Sequence, residues 1–91
     1  MSGKAKHNQN PQQQLINLVH LTMKQHGWTL ADVARYLGIS YIYMASLSNG
    51  ARKISGLSIE KQRELARLLG ITMIQFFLLC GLLRQEDLTA G

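Results

Sequence analysis

The fold of this chain depends strongly on Gly38, which separates two short segments whose apolar residues recur at helical spacing. A glycine accepts the positive φ at which a helix can end and the chain can turn. Ala34, four residues earlier, is small enough to let two helices cross closely, and Ile39 follows as an apolar plug between them. On the inner face of the second segment, Met44 and Leu47 lie three residues apart. The pattern predicts two helices joined by a tight turn.

Capping residues and stop signals predict that the rest of the chain is helical as well. A serine or threonine stands before each of four predicted helices, namely Thr29, Ser40, Ser58 and Thr72. The predicted helices are 12–26, 30–37, 41–48, 59–69 and 73–80, and 51–57 is predicted to be a loop. We therefore expect an all-α fold, a compact five-helix domain over residues 11–91 with an apolar C-terminal helix. A disordered basic tail is expected over residues 1–10.

The charge of the chain is concentrated in its first half. The formal net charge is +5, and the six lysines and arginines before residue 57 face a single acid, Asp32. After that point four bases are balanced by four acids. A basic half favours a polyanionic partner, with nucleic acid ahead of an acidic membrane surface because no helix is clearly basic and amphipathic. Charge alone is equally compatible with a basic protein that has no such partner.

The residue inventory does not favour an enzyme, a metal site or a membrane span. The three histidines and the single cysteine, Cys80, have no metal-ligand spacing, and no glycine loop typical of phosphate binding occurs. The apolar run 71–83 is shorter than the roughly 20 residues of a membrane span. The polar N-terminus shows no secretory signal. We expect a cytoplasmic protein that is not an enzyme and uses no cofactor or metal.

A longer stretch around the predicted turn resembles a known family. Residues 29–50 read TLADVARYLGISYIYMASLSNG, and residues 64–72 read ELARLLGIT. In order and spacing these segments resemble the lambda-repressor-like helix-turn-helix family, also called the xenobiotic-response-element family, and the resemblance covers about residues 15–83. It implies a five-helix DNA-binding domain, commonly a homodimer, that regulates transcription at palindromic operators in double-stranded DNA, with repression as the expected mode.

The resemblance also implies roles for individual residues. Base contacts would come from Ser40, Tyr41, Ile42, Ala45, Ser46 and Asn49. Phosphate contacts would come from Arg35, Tyr43, Arg52 and Lys53. The inward positions would be Val33, Ala34, Leu37, Ile39, Met44 and Leu47, and helical periodicity predicts the same inward set. In these roles Asn49 would bond adenine N6 and N7, whereas Ile42, Ala45 and the ring of Tyr41 would contact thymine methyl groups.

The sequence departs from the family pattern in ways that leave alternatives open. Family members often carry glutamine or threonine where this chain has Leu30, and they often have a polar recognition helix where this one is uncharged. Readout through DNA shape is one alternative. Another is an antitoxin-like or adaptor module that binds a protein through the face Tyr41–Tyr43. Asn49 can equally be a helix stop only, and Arg52 and Lys53 can belong to a solvated loop.

The C-terminal helix is apolar on more than one side, which suggests an interface. A surface helix needs one apolar stripe for its own core. One stripe (Ile74, Phe77, Leu78 and Gly81) is expected to face the core. The other is predicted to pack on a second copy of the chain, through Met73, Phe76, Leu79, Cys80 and Leu83. The alternative is that residues 85–88 fold back and cover this second stripe.

Overall fold

The computed structural model of this protein describes residues 12–81, and in this range it is all-helical, with no strand. Five α-helices follow one another: α1 Gln13–His26, α2 Leu30–Leu37, α3 Tyr41–Ser48, α4 Ile59–Leu69 and α5 Met73–Leu79. A 3-10 turn, Ile54–Gly56, lies between α3 and α4. The predicted basic tail, Leu83 and the predicted turns beyond it lie outside the described residues.

The helix ends follow the local signals in the sequence. The hydroxyls of Thr29, Ser40, Ser58 and Thr72 each accept the backbone N–H three residues later, as N-caps do. The predicted bounds of α2, α3 and α4 are confirmed, and those of α1 and α5 differ by one residue at one end. The segment 51–57, predicted as a loop, contains the short 3-10 turn because Gly56 and Leu57 donate back to Lys53 and Ile54.

One apolar core joins the helices, and α1 lies at its centre. Helix α1 contacts α3, α4 and α5, while α2 packs mainly on α3 and also touches α4. The buried apolar residues are Leu15, Ile16, Val19, Val33, Ala34, Leu37, Met44, Leu47, Ile54, Leu57, Leu65, Ala66, Phe76 and Cys80. The predicted inward set of α2 and α3 is confirmed, with Ile39 half-buried against this core.

The predicted orientation of α5 is wrong. Phe76, predicted to face a second copy, is completely buried (0% exposed), and Cys80 is buried beside it in the same core. Ile74, predicted to face the core, is 54% exposed. The helix is therefore rotated by part of a turn relative to the expectation: Phe76 and Cys80 enter the core, and Phe77, predicted to face it, packs against it only half-buried.

The helices between residues 12 and 81 are short. None of them is both long enough and apolar enough to cross a membrane. The longest, α1, has 14 residues, whereas a span needs about 20.

Candidate nucleic-acid interface

The turn between α2 and α3 has the geometry that its sequence predicts. Gly38 ends α2 with a φ of 72°, in the left-handed region that favours glycine. The next residue, Ile39, donates its N–H to the carbonyl oxygen of Ala34 at 3.0 Å. Helix α3 then begins at Tyr41, shortly after Leu37. Only three residues therefore connect the two helices, and the middle one bonds back to α2.

A lysine from α4 reinforces the same turn. The ammonium of Lys61 donates to the carbonyl oxygen of Leu37 at 2.7 Å. The last carbonyls of a helix have no partner within the helix, and a cation there also interacts favourably with the helix dipole. Lys61 therefore fixes the end of α2 against α4, a role that the sequence analysis missed.

Helix α3 divides into an inner and an outer face. Met44 and Leu47 point inward and are each 1% exposed. On the opposite side Ile42 is 80% exposed and Tyr41 is 57% exposed. The remaining predicted base-contact residues are accessible to different degrees, with Ser40 and Asn49 exposed and Ala45 and Ser46 half-buried. None of the six is part of the core.

The polar side chains on this outer face bond to their own backbone. Ser40 accepts the N–H of Tyr43 at 3.0 Å, and Ser46 donates its hydroxyl hydrogen to the carbonyl oxygen of Tyr43 at 2.6 Å. Asn49 accepts the N–H of Ala51 through Oδ1 at 2.8 Å. Asn49 thus shapes the exit from α3, in agreement with its interpretation as a helix stop.

The loop after α3, which contains the predicted phosphate contacts Arg52 and Lys53, is tied to the domain by two buried glutamines. Gln12 donates to the carbonyl oxygen of Arg52 at 3.2 Å and accepts the N–H of Ile54 at 2.6 Å. Gln62 donates through Nε2 to the carbonyl oxygens of Ser55 (3.2 Å) and Leu57 (2.7 Å). The two basic side chains themselves stay exposed. A fixed backbone with exposed cations is a suitable arrangement for binding phosphate.

Arg52 lies close to the start of α3. Its guanidinium is 5.4 Å from the centre of the Tyr43 ring, within the range of a cation–π contact. Together with Ser40, Ile42 and Ser46, these two residues line an open depression of about 300 Å³. A predicted phosphate contact and predicted base contacts therefore share one surface.

Arg35 lies on the outer side of α2 and forms a weak ion pair. Its guanidinium is 3.3 Å from a carboxylate oxygen of Asp32, and both side chains are well exposed. The carboxylate also accepts the backbone N–H of Thr29, and this bond, followed by the Thr29 hydroxyl contact and Arg35, lowers the pKa of Asp32. Since exposed pairs contribute little, Arg35 can turn toward a phosphate at small cost.

Several positioning residues escaped sequence reasoning. A ring N–H of His20 donates to the carbonyl oxygen of Ser48 at 3.0 Å and so joins α1 to the end of α3. Gln62 gave a signal that could have been used, because it stands one helical turn before the apolar Leu65 and Ala66, where a polar residue must find buried partners. Gln12 and Lys61 offered no such signal.

Other kinds of site find no support in the described residues. Between residues 12 and 81 no group of three or more histidine, cysteine, aspartate or glutamate side chains is close enough to hold a metal ion. Comparison of the chain with protein-family models, with curated proteins and with solved structures gives no match. What can be proposed about the protein rests on its own residues.

Proposed function

We propose that this protein is a sequence-specific DNA-binding regulator of transcription, of the repressor type, that inserts α3 into the major groove. The observation that carries the proposal is the position of α3. Its inner face is buried against α1 and α2, while Tyr41 and Ile42 protrude on the other side. The major groove of B-DNA is wide enough to admit one α-helix. The unit formed by α2, its glycine turn and α3 would then act as a helix-turn-helix of the lambda-repressor-like kind.

The charges around α3 support this mode of binding. Arg52 and Lys53 follow the helix, and Arg35 lies on the helix before it, so cations flank an uncharged face. Phosphate contacts position a protein on the duplex, whereas contacts with base edges select the sequence. The N-terminal residues of a recognition helix usually make the base contacts, and Tyr41 and Ile42 are the first two residues of α3.

We also propose a homodimer, with a changed interface on α5. Phe76 and Cys80 belong to the core and cannot contribute, and the half-buried Met73 and Leu79 lie on different sides of the helix. Ile74, which is exposed, replaces them in the proposed interface, together with the half-buried Leu78 one turn later on the same side. In a dimer on a palindromic site the two copies of α3 would lie about 34 Å apart. Sedimentation tests this part, since a monomer at every concentration would remove the dimer.

Selection of bound sequences from random duplex DNA at physiological salt tests the DNA-binding proposal itself. A sequence-specific dimer should enrich a palindrome whose half-sites are one helical turn apart. A protein without affinity for any duplex, even in dilute buffer, would overturn the proposal.

The salt dependence of binding tests the phosphate contacts separately. Arg52→Ala or Lys53→Ala should weaken binding to every sequence. Each should also make the negative slope of log K against log salt shallower by about 0.9 for each phosphate that the variant no longer neutralises. Arg67→Ala is the matched control, because it removes the same charge from an exposed position on α4. A weakening confined to the preferred site, or an equal weakening for Arg67→Ala, would contradict the assignment.

A second function, binding of a protein partner, is favoured by one observation. Tyr41 and Ile42 form an exposed apolar pair on a helix without charge, and such pairs anchor many protein interfaces. An antitoxin-like or adaptor module would use this face without DNA. The duplex selection separates the two functions, because an adaptor would enrich no palindrome.

A further inference from the structure

The outer face of α3 presents mainly apolar side chains, which would face the major groove of bound DNA. Ile42, the most exposed large apolar residue in the described part of the chain, presents most of its side chain to solvent. Tyr41, the preceding residue, is also exposed, and the half-buried Ala45 follows one turn after Tyr41. The helix contains no charged residue.

The polar groups of the same face already form hydrogen bonds with the protein's own backbone. Ser46 uses its only hydroxyl hydrogen on the carbonyl oxygen of Tyr43, so it has none to donate to a base. Ser40 caps α3, and the Oδ1 atom of Asn49 is held by the N–H of Ala51. A bidentate bond to adenine would require Asn49 to present Oδ1 and Nδ2 together, and the bond to Ala51 directs Oδ1 toward the loop.

Base edges in the major groove display few apolar groups. Guanine, cytosine and adenine show donors and acceptors there, whereas thymine shows its C5-methyl group beside one acceptor. A 5-methylcytosine carries a methyl at the equivalent ring position. An apolar helix face can therefore distinguish bases by methyl contact when it cannot do so by hydrogen bonds.

We propose that α3 selects DNA by its major-groove methyl groups, with Ile42 as the main specificity-determining residue and Tyr41 and Ala45 completing the contact. The ligand class is duplex DNA with thymine, or 5-methylcytosine in its place, at the positions facing Ile42. This inference rests on the proposed function, because it presupposes that α3 enters the major groove. It differs from readout by hydrogen bonds or by DNA shape, neither of which requires the methyl.

Deoxyuridine supplies the direct test, since it lacks only the methyl group of thymine. A duplex enriched by selection from a random pool is resynthesised with deoxyuridine in place of thymine, and the dissociation constants are compared at one salt concentration. Each methyl that Ile42 contacts should be worth about fourfold in affinity, the value of burying one such carbon group. At a contacted position, 5-methylcytosine should also bind more tightly than cytosine.

Two variants locate the effect on the protein. Ile42→Ala should reduce the preference for thymine over deoxyuridine, and the fold should survive because the side chain is outside the core. Leu21→Ala is the matched control: Leu21 is 51% exposed on α1, so a similar side chain is shortened on a different helix. Leu21→Ala should retain the full preference.

The possible outcomes distinguish the inference of methyl readout from the DNA-binding proposal on which it rests. A protein that binds the thymine and deoxyuridine duplexes equally would overturn methyl readout and leave the DNA-binding proposal intact. A preference that survives in Ile42→Ala would also overturn it, since the methyl would then be sensed elsewhere. Binding to no duplex would overturn both.

Discussion

Helices α3 and α5 are alike in sequence and differ in how well their orientation can be predicted. Both are short, both begin after a hydroxyl N-cap, and both consist mainly of apolar residues. The inner face of α3, Met44 and Leu47, is as predicted. The face of α5 predicted to lie outside contains Phe76, the largest fully buried side chain among the described residues.

The difference between these helices does not come from the links that precede them. Gly38 and Gly70 both have a left-handed φ, and the isoleucine after each glycine packs on the core and donates its N–H to the carbonyl oxygen of the alanine four residues before the glycine. The helices themselves differ: α3 contains an alanine and two serines among its larger residues, whereas six of the seven residues of α5 are large and apolar, so its composition hardly distinguishes one side from another. A cap determines where a helix begins, whereas its rotation depends on contacts with distant helices.

Phe76→Ala should give the largest effect, because it tests the observed orientation of α5 directly. Removal of a fully buried phenylalanine typically costs about 3–5 kcal/mol of unfolding free energy. Phe77→Ala, the neighbouring half-buried ring, is the matched control and should cost clearly less. Urea unfolding measures both. If Phe77→Ala cost more, the apolar stripe with Phe77 would face the core and the contrast with α3 would disappear.

Gln12→Ala tests the loop that leaves α3 and should have the next largest effect. The substitution leaves a buried N–H on Ile54 and the carbonyl of Arg52 without the glutamine, at about 1–3 kcal/mol. Hydrogen exchange at the Ile54 amide should accelerate more than at amides in α5. Gln13→Ala is the control, because that side chain bonds the exposed Asn17 in the next turn. Unchanged protection of Ile54 would show that Gln12 does not hold the loop.

Sequence reasoning located the helices better than the contacts between them. Helix bounds follow from neighbouring residues, such as the Thr29 cap and the Gly38 stop, and these could be read directly. The partners of Gln12 and Lys61 are about 40 and 24 residues away in the chain, so no local pattern reveals them.

The rotation of α5 was only partly within reach of sequence reasoning. Gln75 is the only polar residue of this helix and is exposed. At about 100° per residue, Ile74 and Phe76 both lie about 100° from Gln75, on opposite sides, and Phe77 lies about 160° from it. Gln75 therefore marks an outward direction, but it does not decide whether Phe76 or Phe77 is the more deeply buried ring.

Gly38→Ala tests the turn that fixes α3. An L-residue in the left-handed region costs about 1–2 kcal/mol, and here φ is 72°. The added Cβ would only come to 3.4 Å from Lys61 Nζ, so the penalty is conformational rather than steric. Gly56→Ala is the control, since Gly56 has no positive φ and nothing within 4 Å of a Cβ. It should be neutral or stabilise by up to about 1 kcal/mol. Thermal unfolding that gave both variants the same sign would contradict the role of Gly38.

Acid pH should weaken the start of α2, and this is the smallest expected effect. The N–H and hydroxyl contacts of Thr29 lower the pKa of Asp32 in the folded protein. A lowered folded pKa means that the carboxylate contributes stability at neutral pH and that this contribution disappears as the pH falls through the folded pKa. The unfolding free energy of the native protein should therefore fall more steeply below about pH 4 than that of Asp32→Asn. Asparagine retains an acceptor for Thr29 but does not titrate. Parallel curves of unfolding free energy against pH for the two proteins would therefore show that the charge of Asp32 does not stabilise the start of α2.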